Sequence, residues 1–319
     1  MNPEDFWSPY EIEITSFDDL YQVIEDVFKK WSSKNKLFAW RGQVDSSWPL
    51  YSSLYRRLYW TKGSLPEERE LYKKEGDILK EVHRWGLHVS NDVGRLSALN
   101  QLAALQHYGA PTRMIDITFN PWIAAWFAVE KKWDSGGNER YKDKDARLFA
   151  IDVTNRLINE NDRYRGWEDD LKRPWPKPAP KDADEEEKKN YRIWCTKVFA
   201  WKPPHFDSRI AAQNGGFIFG GVPMTRGPEG PNQWPKDGTG YWKIDEVRRA
   251  TSISIRPHRL KSRRGGVVQD AVYSFRIRSD AKEKIRAQLE KNFGYKHSTM
   301  YPDFTGFSLF GTPELKTEP

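Results

Sequence analysis

The chain has 319 residues, with 52 lysines and arginines against 45 aspartates and glutamates, a net charge of +7 and a pI near 9.2. That length supports a sizeable core, and the basic excess leans toward anionic ligands but is spread too thinly for a dedicated DNA-binding composition. The one cysteine, Cys195, excludes an internal disulfide and a cysteine-based zinc site.

The first segment, MNPEDFWSPYEIEITSFDD, is acidic and lacks the apolar stretch of a signal peptide. No run approaches a membrane span, so the expectation is a cytoplasmic protein with no membrane partner. Leu20, Val23, Ile24 and Val27 recur at helical spacing, which predicts a helix over Ser16–Trp31. LFAWRG, Leu37–Gly42, reads as a buried strand that ends at a glycine. QVDSSWPLYSSLYRRLYW is aromatic and irregular, a loop with a short helix. A long charged helix follows over Ser64–Trp85, with Ser64 and Glu67 as its capping box.

Arg95–Tyr108 is predicted helical, with Leu96, Leu99, Leu102 and Ala103 on one face, stopped by Gly109 and Pro111. Asn120-Pro121 starts the next helix, because asparagine caps well and proline wastes no amide in the first turn. WIAAWFAV is apolar all round, so that helix is buried. Ala146–Val153 is a strand. Residues 159–190 read as a charged, Pro-rich surface insertion. KVFAW is a strand, DSRIAAQNGG a short helix capped by Asp207, and FIFGG a strand. Residues 220–240 form a Gly/Pro-rich loop, TSISIR and AVYSFRI are strands, and Asp280–Phe293 is an amphipathic helix. Helices first and strands later indicate an α+β fold with a helical N-terminal part on a mixed or antiparallel sheet, in one domain over 1–319 with its core at about 37–306.

Four places carry groups that a core does not need. Arg41 stands at the end of a buried strand, where a guanidinium must be paired or reach a cleft. Gly42 beside it leaves room for a ligand or another backbone. The stretch QHYGAPTRMIDITFN joins two apolar segments and holds His107, Tyr108, Arg113, Asp116 and Thr118. It runs from the last turn of one helix, which carries Gln106 and His107, to the N-terminus of the next, which suits an anion. Gln101 is placed on the solvent or cleft side of the first helix. Asp116 has two candidate partners, Arg113 and Arg41. Gln213 ends the short helix and points toward the same cleft, with Gly215 as its left-handed exit. Asp303 lies in STMYPDFTG, ordinary turn chemistry. YRRLYW, Tyr55–Trp60, interleaves arginine and aromatics as single-strand binders do, although surface packing explains it too. Six histidines without ligand spacing suggest no metal.

Together these pieces resemble the FRG domain family, named for an aromatic-Arg-Gly motif and carrying a Q-H-Y-G-x-P-T-R-h-h-D-x-T-x-x-P block before an Ala- and Phe-rich helix. Here the block reads QHYGAPTRMIDITFNPWIAAWFA, Gln106–Ala128. Tryptophan replaces the usual Phe or Tyr of the first motif, and Asp116-Ile117-Thr118 replaces Asp-Trp-Thr. LFAIDV, RIAAQNGGF and STMYPDFTG resemble later family segments. The family occurs in bacteria and in phage or prophage settings. A second resemblance is to ADP-ribosyltransferases of the Arg-Ser-Glu type, which consume NAD.

That second resemblance implies an ADP-ribosyltransferase-like core and an NAD-consuming effector, a toxin or phage-defence component. Arg41, His107, Asp116 and Gln213 would be its catalytic groups. Arg41, Gly42, Tyr108, Arg113 and Thr118 would hold NAD. Thr118 or Thr112 would take the Ser/Thr place, and Tyr108 or a tryptophan would stack on nicotinamide. No glutamate stands at a matching motif; Gln213 lies near the expected place, and Asp116 or Asp303 would substitute. Two other readings of the same residues are a nucleotide- or nucleic-acid-binding module without turnover, with a protein or nucleic-acid target, and an architectural ion-pair network of Arg41, Arg113 and Asp116.

Overall fold

A computed structural model describes residues 2–31, 35–90, 94–134, 137–160, 166–169, 171–180, 182–204, 208–236, 240–260 and 271–310. An eight-stranded mixed sheet carries the fold. Its strands are β1 (Ile12–Ile14), β2 (Phe38–Gln43), β3 (Ile115–Thr118), β4 (Ala146–Asp152), β5 (Phe199–Trp201), β6 (Gly215–Phe219), β7 (Arg256–Pro257) and β8 (Ala271–Ile277). Their spatial order is β1-β8-β4-β2-β3-β6-β5, with β7 also on β8. β1 and β7 run parallel to β8, and the other neighbours are antiparallel. The fold is α+β. β4 is buried along its whole length, as its run of apolar residues requires.

The helices that shape the site and its surroundings are α1 (Phe17–Trp31), α2 (Ser53–Lys62), α3 (Glu68–Arg84), α4 (Ala98–His107), α5 (Pro121–Val129), α6 (Glu185–Thr196), α7 (Ser208–Ala212), α8 (Ile244–Ala250), α9 (Lys282–Phe293), α10 (His297–Met300) and α11 (Phe304–Phe310). α5 starts where its sequence says: Asn120 Oδ1 accepts from the amides of Trp122 and Ile123, and Pro121 follows. Its buried face lies directly on β2. A methyl group at Gly42 would sit 2.0 Å from the Ala124 carbonyl oxygen. Gly42 therefore admits another backbone, that of α5, and any larger residue would push helix and strand apart.

Several expectations change. The long charged helix begins at Glu68, with Glu67 and Glu70 closing the capping box in place of Ser64. Ser97 caps α4, and Gln101 is buried, its amide donating to the Leu96 carbonyl. The IDIT stretch is itself a strand, β3, inside what reads as a connection. TSISIR is mostly irregular, and only its end enters β7. The left-handed residue after α7 is Asn214, φ 44°, where an amide side chain tolerates that backbone; it is not Gly215. α9 starts at Lys282, not Asp280, which lies in a tight 3₁₀ turn before it. Asp207 lies outside the described residues.

The largest correction concerns the insertion. Trp175 is buried, stacks on Trp194 of α6 with centroids 5.3 Å apart, and donates to Glu75 Oε2 at 2.6 Å. That part of the insertion is core. Burying a tryptophan outweighs the polarity of the prolines and charges beside it.

Candidate functional site

β2 and β3 share a single registered pair, Trp40 with Thr118, whereas β2 pairs with β4 along its whole length. Away from that pair the two central strands part, and a cleft of about 340 Å³ opens where they diverge. Its lining comes from β2, β3, the C-terminal ends of α4 and α5, α7, and Tyr301 after α10. Arg41, Gly42, His107, Asp116, Thr118 and Gln213 all lie on it. Segments more than 170 residues apart in the chain, Arg41 and Gln213, thus meet at one cavity.

Arg41 is the central group. Its Nη1 donates to the Asp116 main-chain oxygen at 2.6 Å. Its Nε is buried without a hydrogen-bond partner, and no carboxylate pairs with the guanidinium among the described residues. Burial pulls its pKa below the ordinary arginine value, with the Asp116 charge opposing and Arg56 adding to the fall. Two residues along β2, on the same face, Gln43 also lines the cleft. Its Oε1 is buried and unpartnered, while its amide donates to the Pro49 carbonyl at 3.3 Å. A buried donor and a buried acceptor are therefore left open on one wall.

Asp116 is held from behind. Gln106 Nε2 donates to Asp116 Oδ2 at 3.0 Å, and Thr112 Oγ1 donates to Gln106 Oε1 at 2.5 Å. The chain Thr112–Gln106–Asp116 fixes the carboxylate, and Arg113 bonds Glu75 and Glu68 in place of Asp116. Of the two candidate partners for Asp116, Arg41 is the near one, and it bonds the main chain.

Glu130 is the group the sequence hides. It sits just past α5, is buried, and lines the cleft. Tyr301 donates its hydroxyl to Glu130 Oε2 at 3.0 Å, and Lys132 lies 2.7 Å from Oε1. Burial, with Glu130 and Asp116 nearby, pushes the Tyr301 hydroxyl well above its ordinary pKa, so it stays a donor. Lys132, Arg209 and Phe127 also line the cleft, none of them singled out by the sequence. Glu130 follows an apolar helix of known kind, and a carboxylate one residue past such a helix was the available signal.

Other expected site residues are spent elsewhere. Thr118 Oγ1 donates to the Gln213 carbonyl at 2.7 Å, so its hydroxyl joins β3 to the end of α7. Gln213 donates its amide to the Met300 carbonyl at 2.8 Å and ties α7 to α10. Asp303 lies off the cleft and pairs with Arg209, which lines it; Arg209 Nη2 donates to Asp303 Oδ1 at 2.7 Å. That pairing holds the Asp303 carboxyl below its ordinary pKa. Tyr108 is 83 % exposed and stands outside the cleft, its ring edge-on to His107.

Arg113 is a correction. It is 1 % exposed, points away from the cleft, and bonds Glu75 at 2.9 Å and Glu68 at 3.0 Å. Its guanidinium lies against the stacked pair Trp175 and Trp194, 4.8 and 5.2 Å from the ring centroids. The two carboxylates raise its pKa against the opposing effect of burial. Its Nη2 is also buried without a hydrogen-bond partner, but Arg113 holds two carboxylates and does not line the cleft, so it does not face a ligand there. Among the described residues no three His, Cys, Asp or Glu side chains are grouped as metal ligands, and no helix is long and apolar enough to cross a membrane.

Residues 36–136 match the family model of the FRG domain. The match includes Arg41, the whole Gln106–Ala128 block and Glu130, while Arg209, Gln213 and Tyr301 complete the cleft from outside it. No curated protein and no solved structure matches the chain.

Proposed function

We propose that the cleft takes a phosphorylated nucleotide of the NAD class and that the protein is an NAD-consuming, ADP-ribosyltransferase-like enzyme. The observation that carries this reading is Arg41: a guanidinium at a cleft, with a buried unpartnered Nε and no carboxylate to balance it. A buried cation without an internal counter-ion is costly, and an anionic ligand removes that cost. Gln43 Oε1 beside it offers an acceptor to a ligand hydroxyl or amide.

The cleft volume of about 340 Å³ is at the small end for ligand clefts. It suits the reacting half of a dinucleotide, with the rest outside. Asp116 and Glu130 supply two carboxylates, and an anion beside the ribose stabilises the positive charge that develops there. In that reaction the C1′–N bond breaks and nicotinamide leaves with the bonding electron pair as a neutral base. Water or an acceptor hydroxyl then adds to C1′ and gives its proton to a carboxylate. Gln213 holds α10 through its amide, so its role in this scheme is positioning, not charge stabilisation. An enzyme that drains NAD is toxic wherever it is unleashed, so the toxin or phage-defence role follows from the same reading.

The test is calorimetric titration with NAD, together with chromatographic detection of released nicotinamide. Wild type should bind and turn over NAD. Arg41→Ala should lose at least about 30-fold in affinity, the loss of a charge-assisted pair of about 2 kcal/mol or more. If wild-type protein neither binds nor consumes NAD, the reading is wrong. Binding without turnover would favour the non-catalytic nucleotide-binding module.

A further inference from the structure

Beside the cleft, α2 and α8 form a face rich in arginine and aromatic side chains. We infer that this face binds single-stranded nucleic acid, with Arg56, Arg57, Arg248 and Arg249 along the backbone and Trp60 and Tyr108 as stacking platforms. The inference goes beyond the reading of the cleft and does not depend on what the cleft holds.

The charge comes first. None of these four guanidiniums pairs with a carboxylate among the described residues. Arg57 Nη2 donates to the Gly109 carbonyl at 2.9 Å, Arg248 Nε to the Pro223 carbonyl at 2.9 Å, and Arg249 Nη1 to the Tyr59 hydroxyl at 3.3 Å. Arg56 lies over the Trp60 ring at 5.5 Å. Arg113, Arg147, Arg209 and Arg276, by contrast, each hold a carboxylate. Of the acidic groups nearby, Glu70 is taken by Lys62 and Glu68 by Arg113, Glu67 shares a pocket with Arg248, and Asp245 stands at the start of α8, with Arg248 and Arg249 in its last turn.

The elements are fastened together, so the charges share one surface. Tyr51 and Tyr55 on the α2 side donate their hydroxyls to the Arg248 main-chain oxygen at 2.9 and 3.1 Å. The bond from Arg57 to Gly109 brings α2 against the turn that carries Tyr108. Ser53 in the first turn of α2 donates its hydroxyl to the Thr112 carbonyl at 3.2 Å, next to the Thr112–Gln106–Asp116 chain, which puts this face beside the cleft.

The aromatics choose the partner. Trp60 is 70 % exposed and Tyr108 is 83 % exposed, large rings that a folded chain normally buries. Flat exposed rings interleaved with arginines fit unpaired bases, which stack, and a phosphate backbone, which the guanidiniums neutralise. In a duplex the base faces are already stacked and unavailable. The earlier alternative for YRRLYW, surface packing, leaves Trp60 too exposed to hold.

The test is fluorescence anisotropy of the full chain with a fluorescein-labelled single-stranded 20-nucleotide DNA or RNA, without NAD, at low and higher salt. Binding should weaken steeply with salt. Arg56→Glu combined with Arg57→Glu should weaken it at least 10-fold, and Trp60→Ala at least 5-fold, the range for loss of one stacked base. All three side chains are exposed, and an unchanged melting temperature verifies that each variant folds. Absence of binding at low salt would overturn the inference. So would binding that Trp60→Ala leaves intact, or equal competition by duplex DNA or inorganic tripolyphosphate, which would mark a general polyanion patch.

Discussion

Arg41 belongs to the aromatic-Arg-Gly motif and Arg113 to the Gln106–Ala128 block, and their surroundings are opposite. Arg113 is closed in by Glu68, Glu75, Trp175 and Trp194, and its charge is balanced inside the protein. Arg41 has one main-chain acceptor, an open Nε and a cavity in front of it. The two pKa values move apart accordingly, Arg113 upward on its carboxylates and Arg41 downward on burial. Two arginines in motifs of equal standing thus do different work. The balanced one locks α3, α6 and the insertion onto the sheet. The unbalanced one is the group the proposed reading assigns to an anionic ligand.

The comparison breaks most visibly at Arg113. Arg113→Met leaves two buried carboxylates without their cation, and the expected loss is about 3–5 kcal/mol of stability in urea unfolding. Adding Glu68→Gln and Glu75→Gln should recover a good part of it, because the stranded charges are then gone. If Arg113→Met unfolds no more easily than wild type, the network is not the lock described here. Asp116→Ala sharpens the other side. The Asp116 side chain is exposed and takes one bond, from Gln106. Its removal should cost no more than about 1 kcal/mol while abolishing NAD turnover. An unfolded Asp116→Ala variant would instead support the architectural reading of the motif.

The sequence makes some of this legible and conceals the rest for physical reasons. Asn120-Pro121 and the apolar run after it announce α5 directly, because capping and all-round burial are local properties. Arg41 stands out because a charge at the end of an apolar strand demands explanation. The partners of Arg113 do not stand out, since Glu68 and Glu75 sit in a helix dense with charge. Yet Glu68, Leu71, Glu75 and Val82 are its buried residues, and their spacing puts two carboxylates on the apolar face. A carboxylate on that stripe is the signal that composition drowned. β3 is four residues long, too short to declare itself by alternation. Trp175 is a single apolar residue among prolines and lysines, where average polarity outvotes one ring. Glu130 and Tyr301 meet only through the fold, 171 residues apart.

The smallest expected effect tests how the far wall of the cleft is held. Tyr301, Asp303 and Gln213 tie α10 and α11 to the cleft, and His297 anchors the same segment. Its ring stacks on Phe310 at 4.6 Å, and Nε2 is 3.1 Å from the Lys131 carbonyl oxygen. Burial pushes the His297 pKa below its ordinary 6.5; Lys132 pushes the same way, and Glu130, Glu290 and the Lys131 carbonyl oppose. The unfolded chain therefore binds a proton at higher pH than the folded one. Above 6.5 both forms are neutral and nothing is lost; as pH falls from 6.5 through the folded value, stability drops. His297→Phe keeps the aromatic stack and removes the titration. The melting temperature of wild type should therefore fall relative to His297→Phe between about pH 7 and pH 5.5, by a few degrees at most. Parallel pH profiles for the two proteins would mean that His297 protonates without releasing the wall, and that the bonds of Tyr301 and Asp303 hold it alone.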